Sequence, residues 1–148
     1  MPTSHEATAT WHGDLTSGKG SVSTKSGALK RAATSWTERT EGTGAEGATS
    51  PEELLAAAHA SCFTMAFAAR LAKAGVTEPN ITVTAKVTFG AKPAGGNGVL
   101  SSALTARAQA PNGDLAKLKA VAEDAKENCP ISQALKGNVA LSVEVTPA

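Results

Sequence analysis

The chain has 148 residues, of which 41% are hydrophobic, and its 14 basic and 13 acidic residues nearly cancel. This length predicts a single domain over residues 1–148, with enough apolar residues for a core. No basic run indicates nucleic acid, and the N-terminus has no apolar signal segment. The longest apolar stretch, Leu54–Phe67, is interrupted by His59 and is too short and mixed to cross a bilayer. We therefore expect a cytoplasmic protein with no membrane or nucleic-acid partner.

Strands and turns are predicted for the N-terminal part. Residues 7–11 alternate with threonine, and residues 21–25 follow a Gly-rich turn. Residues 32–38, AATSWTE, predict a third strand, and the Gly-rich residues 41–49 predict a loop.

One long helix follows this loop. Ser50 is a suitable N-cap, Pro51 suits the first helical position, and Glu53 completes a capping box with Ser50. The run continues without a breaker to Gly75. Because alanine and other small residues occupy every side, the helix is apolar nearly all round, which predicts a buried, central position.

The remaining elements are three strands and two helices. They are a strand at 80–90 with strict alternation, a strand at 98–109, a helix at 115–126, a short helix from Pro130 to near Gly137, and a strand at 138–146. The order is β-β-β-α-β-β-α-α-β. It predicts an α+β fold with two sheets around a long buried central helix.

The two cysteines, Cys62 and Cys129, are the first candidates for chemistry. In a reducing compartment they argue against a purely structural disulfide, and their spacing fits neither a zinc site nor a Cys-x-x-Cys motif. Cys62 alone is compatible with a small core side chain. Cys129 precedes Pro130 at a helix N-terminus, where the helix dipole favours a thiolate, although it could simply occupy a cap position.

Arg39 is a candidate partner for a reactive thiol. Burial among alanines raises the pKa of a thiol, so a cation is needed nearby. Arg39 could serve, and Glu52 or Glu53 could hold its guanidinium in a bidentate pose. Each glutamate also has a plain helical role, Glu53 in the capping box and Glu52 as a first-turn acid. Glu52 and Cys62 are ten residues apart, about 15 Å along a helix, so they cannot touch within one helix.

A second subunit offers one way around that distance. Two such helices packed antiparallel through their alanine faces could bring Glu52 of one chain towards Cys62 of the other. A bridge through Arg39 is the other possibility.

His59 lies three residues before Cys62 and could act as a general base. No third group to orient its imidazole is evident, so a packed or water-bonded histidine is favoured. His5 and His12 are too far from each other and from the cysteines to indicate a metal site.

Two cysteine segments carry a family resemblance. TSPEELLAAAHASCFTMA (49–66) and NCPISQAL (128–135) resemble the two cysteine motifs of the osmotically inducible protein C / organic hydroperoxide resistance family. WHGDLTSGKGSVST (11–24) is similar to the osmotically inducible protein C branch in particular. The resemblance covers nearly the whole chain.

The resemblance implies a thiol peroxidase acting in oxidative or osmotic stress defence. Cys62 matches the peroxidatic cysteine, Cys129 the resolving cysteine, Glu52 the glutamate that hydrogen-bonds the catalytic arginine, and Arg39 that arginine in this branch. Such proteins are intertwined homodimers with two active sites at the interface, and they need no cofactor or metal. The reductant implied is a dithiol, a lipoyl-bearing protein by analogy.

Two other classes remain open from the residues. A non-enzymatic redox sensor would form the disulfide without repeated turnover. A structural domain would bury both cysteines as inert core residues.

Overall fold

The computed structural model describes all 148 residues, and they separate into two compact units, Met1–Leu54 and Leu55–Ala148. The elements are β1 (Ala7–His12), β2 (Lys19–Thr24), β3 (Ala32–Ser35), α1 (Trp36–Glu41), α2 (Pro51–Lys73), β4 (Asn80–Ala91), β5 (Asn97–Gln109), α3 (Leu115–Asn128), α4 (Pro130–Leu135) and β6 (Ala140–Pro147). Two three-stranded sheets and four helices make this a mixed α+β fold, as the sequence predicted. The prediction of a single domain over 1–148 stays a prediction.

The first unit holds an antiparallel sheet in the order β1-β2-β3. The predicted strand at 32–38 is wrong in its second half, because β3 ends at Ser35 and a short helix follows. Ser35 caps that helix: its Oγ accepts the Glu38 N–H at 3.0 Å. Gly42 ends it in the left-handed region, at φ 59°, which glycine adopts without strain.

The loop before α2 is attached to β3. Ala33 donates its N–H to the Gly47 carbonyl at 3.0 Å, and its own carbonyl accepts the Thr49 N–H at 2.8 Å. The predicted capping box forms in half: Ser50 Oγ accepts the Glu53 N–H at 3.1 Å, but the Glu53 carboxylate accepts the Thr49 hydroxyl at 2.6 Å. The start of α2 is thereby fixed next to the sheet of its own unit.

Helix α2 buries a stripe rather than its whole circumference. Its buried residues recur every turn or two: Glu52, His59, Phe63, Phe67 and Leu71. A second stripe is exposed in the single chain: Ala57, Ala58, Ser61, Met65, Ala69 and Ala72. The all-round burial expected from the alanines is therefore not reached within one chain.

Helix α2 is also longer than the Leu54–Phe67 stretch considered in the sequence. By length and composition alone this 23-residue helix could cross a membrane, a test that core helices of soluble proteins also pass. The expectation that the apolar segment is too short to cross a bilayer is therefore wrong as to the length of the helix.

The second unit holds the sheet β4-β5-β6, antiparallel between β4 and β5 and parallel between β5 and β6. Parallel neighbours require a crossover connection, and α3 and α4 supply it. The predicted alternation of β4 is confirmed, since Ile81, Val83, Ala85 and Val87 are half-buried between exposed residues.

The core of this unit packs helix against sheet. Phe63 and Phe67 of α2 contact each other with ring centroids 5.6 Å apart. They belong to one cluster with side chains of β5, α3, β6 and α4, namely Leu104, Ala106, Leu118, Ala122, Val145 and Cys129. Cys129 thus lies inside the core, and Cys62 packs at its edge.

Candidate active site

The structure brings the two cysteines together. Cys62 is half-buried on α2, and Cys129 is fully buried at the N-cap of α4. Both are free thiols, Cys62 packs against the core cluster that contains Cys129, and the Cys129 thiol is near enough to influence the ionisation of Cys62. Cys129 makes no side-chain capping bond to its own helix. Two thiols so close can be joined by a disulfide.

The surroundings of Cys62 hold its thiol in the protonated form. Burial raises the pKa of Cys62 above its usual value, the backbone N–H of Ile131 lowers it, and the neighbouring Cys129 thiol raises it further. The net direction is upward. A nucleophilic Cys62 therefore needs a positive group to favour the thiolate.

Arg39 and Glu52 form a second pair, in the first unit. Arg39 lies in the last turn of α1, and Glu52 lies in the first turn of α2. Arg39 Nε and Nη2 donate to Glu52 Oε1 at 3.1 Å and 2.9 Å. The residues alone left Glu52 and Glu53 open as partners, and the family resemblance implied Glu52. The structure selects Glu52, and the guanidinium grips one oxygen rather than both.

The other oxygen of this carboxylate has no donor. Glu52 Oε2 is buried without a hydrogen-bond partner. A buried acceptor without a hydrogen bond costs about 1–3 kcal/mol, and few buried polar atoms in folded proteins are left in that state. The Arg39 guanidinium also lies 6.0 Å from the Trp36 ring centroid, a cation–π distance that helps fix its direction.

An apolar cavity adjoins Arg39 within the first unit. It has a volume of about 360 Å³ and is lined mainly by Trp11, Leu15, Trp36 and Leu54, with Arg39 among its walls. Trp11 packs over Gly20, where an added Cβ would lie 2.7 Å from the indole Cε3. Gly18 and Gly20 thus make room for the indole that lines this cavity.

His59 has partners that the sequence did not reveal. It is fully buried, with Nδ1 2.7 Å from Ser102 Oγ and Nε2 2.9 Å from Ser132 Oγ. Burial lowers the pKa of His59 and keeps the ring neutral. Both ring nitrogens are occupied, so His59 does not act as a base towards Cys62. It is a packed histidine, as the sequence favoured, bonded to serines on β5 and α4.

Of the four predicted site residues, the structure pairs Cys62 with Cys129 and Arg39 with Glu52. The first pair can undergo reversible dithiol–disulfide chemistry. The second presents a fixed cation beside an apolar cavity. The chain contains no cluster of three or more histidine, cysteine or acidic side chains able to hold a metal ion.

Comparisons with known proteins place the chain in a family. The family model described as OsmC-like protein matches residues 42–144. The chain is 39% identical over 137 residues to "Peroxiredoxin OsmC" of Escherichia coli (strain K12), covering 93% of each. It is 34% identical over 99 residues to the "Organic hydroperoxide resistance protein" of Xanthomonas axonopodis pv. citri (strain 306), covering 66% of each. The crystal structure of an organic hydroperoxide resistance protein from Elizabethkingia anophelis matches all of both chains, at 28% identity and a TM-score of 0.73.

Proposed function

Because the chain belongs to the OsmC-like protein family, we propose that it is a cysteine-based peroxidase that reduces organic hydroperoxides in defence against oxidative or osmotic stress. Two curated relatives carry names of that kind, peroxiredoxin and organic hydroperoxide resistance protein. The observation that carries the proposal is the contact between a half-buried thiol on α2 and a buried thiol at the start of α4.

The proposed cycle uses the two thiols in turn. The Cys62 thiolate attacks the distal oxygen of the hydroperoxide, the O–O bond breaks, and the alcohol leaves after taking a proton. Cys62 is then a sulfenic acid. The Cys129 thiol attacks that sulfur, forming the Cys62–Cys129 disulfide and releasing water. A dithiol reductant, a lipoylated protein in this proposal, reduces the disulfide by exchange.

Arg39 supplies the positive charge in this proposal. Burial opposes ionisation of Cys62, so the guanidinium stabilises the thiolate and the negative charge that develops on the peroxide oxygens. Glu52 holds the guanidinium in place through Oε1. The cycle needs no metal or organic cofactor.

Organic hydroperoxides are favoured over hydrogen peroxide as substrates. The cavity beside Arg39 is lined mostly by apolar side chains, two of them indoles. An alkyl or acyl group gains free energy by leaving water for such a surface, whereas hydrogen peroxide has no such group.

We further propose a cytoplasmic homodimer with two active sites at the subunit interface. The support is the exposed apolar stripe of α2, from Ala57 to Ala72, which a second copy of the chain would cover. The arrangement can bring Glu52 of one subunit towards Cys62 of the other. A monomer that keeps full activity at nanomolar dilution would contradict it.

A peroxidase assay tests the function. The reduced protein is given tert-butyl hydroperoxide, a fatty-acid hydroperoxide or hydrogen peroxide, with dihydrolipoamide as reductant, and peroxide loss is followed. We expect multiple turnovers, a higher kcat/KM for the organic substrates, and no consumption by Cys62→Ser. Cys129→Ser is expected to turn over once and then stall or over-oxidise.

Two results would contradict the proposal. If both cysteine variants consume peroxide like the wild type, the thiols are not the reacting groups. If the wild type forms the disulfide but never turns over repeatedly with any dithiol, the chain is a redox sensor instead.

A further inference from the structure

His59 is a buried ionisable side chain to which the proposed cycle gives no part. Both of its ring nitrogens are engaged by serine hydroxyls, at 2.7 Å to Ser102 and 2.9 Å to Ser132. Neither nitrogen is left to exchange a proton with a thiol or a peroxide. Any influence of His59 on the reaction therefore passes through the two elements that it joins to α2, namely β5 and α4.

The positions of these residues match those of the cysteines. His59 comes three residues before Cys62 on α2, and Ser132 comes three residues after Cys129 at the start of α4. Residues three apart lie on the same side of a helix, about one turn from each other. The His59–Ser132 bond therefore runs beside the thiol–thiol contact and joins the same two segments at a second level.

Helix α4 depends on such contacts for its position. It has only six residues, and its N-cap provides no side-chain hydrogen bond. A helix this short is not stable by itself in water. Its other side-chain hydrogen bond, from Gln133 Nε2 at 3.2 Å, goes to the Glu127 carbonyl on α3. The Ser132 bond is the one by which a side chain of α4 reaches α2, next to the Ile131 backbone N–H that bonds to Cys62.

We propose that His59 and Ser132 are positioning residues that hold the Cys129 thiol within range of Cys62 for disulfide closure. The inference rests on the proposed function to the extent that closure is a step of the catalytic cycle. Closure must bring the two sulfurs to about 2.05 Å, so it depends steeply on how α4 is placed.

The His59–Ser132 hydrogen bond matters because over-oxidation of Cys62 competes with disulfide formation. A Cys62 sulfenate that is not captured by Cys129 can attack a second hydroperoxide, which yields a sulfinate and a second alcohol. Capture yields the disulfide and water. Loosening α4 shifts this partition towards the sulfinate, which is not reversible by a dithiol.

The test compares two matched variants. Ser132→Ala removes the bond to α4, and Ser102→Ala removes the equivalent bond to β5. Each leaves one buried ring nitrogen of His59 without its serine partner, so a general loss of stability affects both, and denaturant unfolding of each measures that loss. Closure is driven by diamide, which takes two electrons and two protons from the thiol pair and becomes the hydrazine.

We expect diamide to form the Cys62–Cys129 disulfide about tenfold more slowly in Ser132→Ala than in the wild type, because the two thiols are no longer held next to each other. Ser102→Ala is expected to stay much closer to wild type. Equilibration with dithiothreitol and its disulfide gives a second measure, and the Cys62–Cys129 disulfide should be less favoured in Ser132→Ala alone. Equal effects of the two variants, or none in Ser132→Ala, overturn the inference.

Disulfide formation by diamide requires no peroxidase activity. The experiment can therefore refute the peroxidase function and the positioning role of His59 and Ser132 independently. Slow closure in Ser132→Ala together with a wild type that never consumes hydroperoxide refutes the function and leaves the positioning role standing. With an active wild type, Ser132→Ala should also accumulate more Cys62 sulfinic acid per hydroperoxide consumed, measured by intact mass. Active wild type with unchanged closure in Ser132→Ala refutes the positioning role alone.

Discussion

Arg39 places two of its nitrogens on one oxygen of Glu52, Nε at 3.1 Å and Nη2 at 2.9 Å, and leaves the second carboxylate oxygen buried without a donor. The glutamate side chain is 9% exposed and the arginine side chain 34%. The cation is thus anchored by a carboxylate that is more deeply buried than the guanidinium itself. In the proposed cycle this fixed charge is the one that stabilises the thiolate and the peroxide oxygens.

Arg39→Ala should lower kcat/KM for tert-butyl hydroperoxide by about 10²–10³-fold, the loss typical when a charge-stabilising donor is removed. The kcat/KM of Arg39→Lys should lie between those of the wild type and Arg39→Ala, because lysine keeps the charge but lacks the planar arrangement of donors. Steady-state kinetics measures both. Arg70→Ala is the control, since it removes a cation from α2 that pairs with Asp124 at 3.4 Å and leaves Glu52 untouched. An equal loss in Arg39→Ala and Arg70→Ala would remove any special role for Arg39.

Removing the Cys129 thiol should lower the pKa of Cys62. The neighbouring thiol is one of the causes that raise the pKa of Cys62. Cys129→Ala should therefore lower the pH at which Cys62 forms the thiolate, as followed by the ultraviolet absorbance of the thiolate. Arg39→Ala should move this midpoint the opposite way if the guanidinium stabilises the thiolate. An upward shift in Cys129→Ala would contradict the arrangement of the thiols.

His59 should make the folded chain sensitive to mild acid. Burial lowers the pKa of His59, whereas an unfolded histidine titrates near pH 6.5. Below that pH the unfolded chain binds a proton that the folded chain does not, so the free energy of unfolding falls as the pH drops. The fall has a slope of at most about 1.4 kcal/mol per pH unit and stops at the folded pKa.

Urea unfolding between pH 7 and pH 5, above most carboxylate titrations, measures this slope. His59→Gln should flatten it, and His12→Gln, at an exposed histidine on β1, is the matched control. An unchanged slope in His59→Gln would show that the ring is protonated in the folded chain as readily as in the unfolded one.

The exposed stripe of α2 should mediate self-association. Met65 lies at the middle of this stripe and is 65% exposed. Met65→Glu would bury a charge at the interface of the proposed dimer, which is strongly unfavourable. We expect the wild type to sediment as a dimer at micromolar concentration and Met65→Glu as a monomer with lowered peroxidase activity. Lys119→Glu, an exposed change on α3, serves as the charge control. A dimer that survives Met65→Glu would have another interface.

The sequence predicted those elements whose signals are local. The alternation of 80–90 identified β4, and Ser50 with Pro51 located the start of α2. Helix α1 was missed because AATSWTE is rich in strand-forming residues. Ser35 and Glu38, three residues apart, carried the capping signal that would have found it, and the Ser35 Oγ bond to the Glu38 N–H shows that this signal operates.

The parts of the site that escaped the sequence depend on distant partners. Ser102 and Ser132 are ordinary serines on β5 and α4, and nothing near them in the chain marks them as partners of His59. Local reasoning could not choose between Glu52 and Glu53, because adjacent carboxylates differ only in the direction that the helix gives them, and only the family resemblance pointed to Glu52. The buried stripe of α2 could not be read either, since a helix of alanines shows no periodic contrast.

Cys129 belongs to the crossover that joins β5 to the parallel strand β6. The strands of a parallel pair can hydrogen-bond only after the whole intervening segment has been made, and such non-local pairing is slow to form. During synthesis on the ribosome, Cys62 emerges well before the crossover and strand that complete its partner's surroundings. The nascent chain therefore carries Cys62 while Cys129 is still to be placed, and the two thiols can meet only after the crossover that follows β5 has been made.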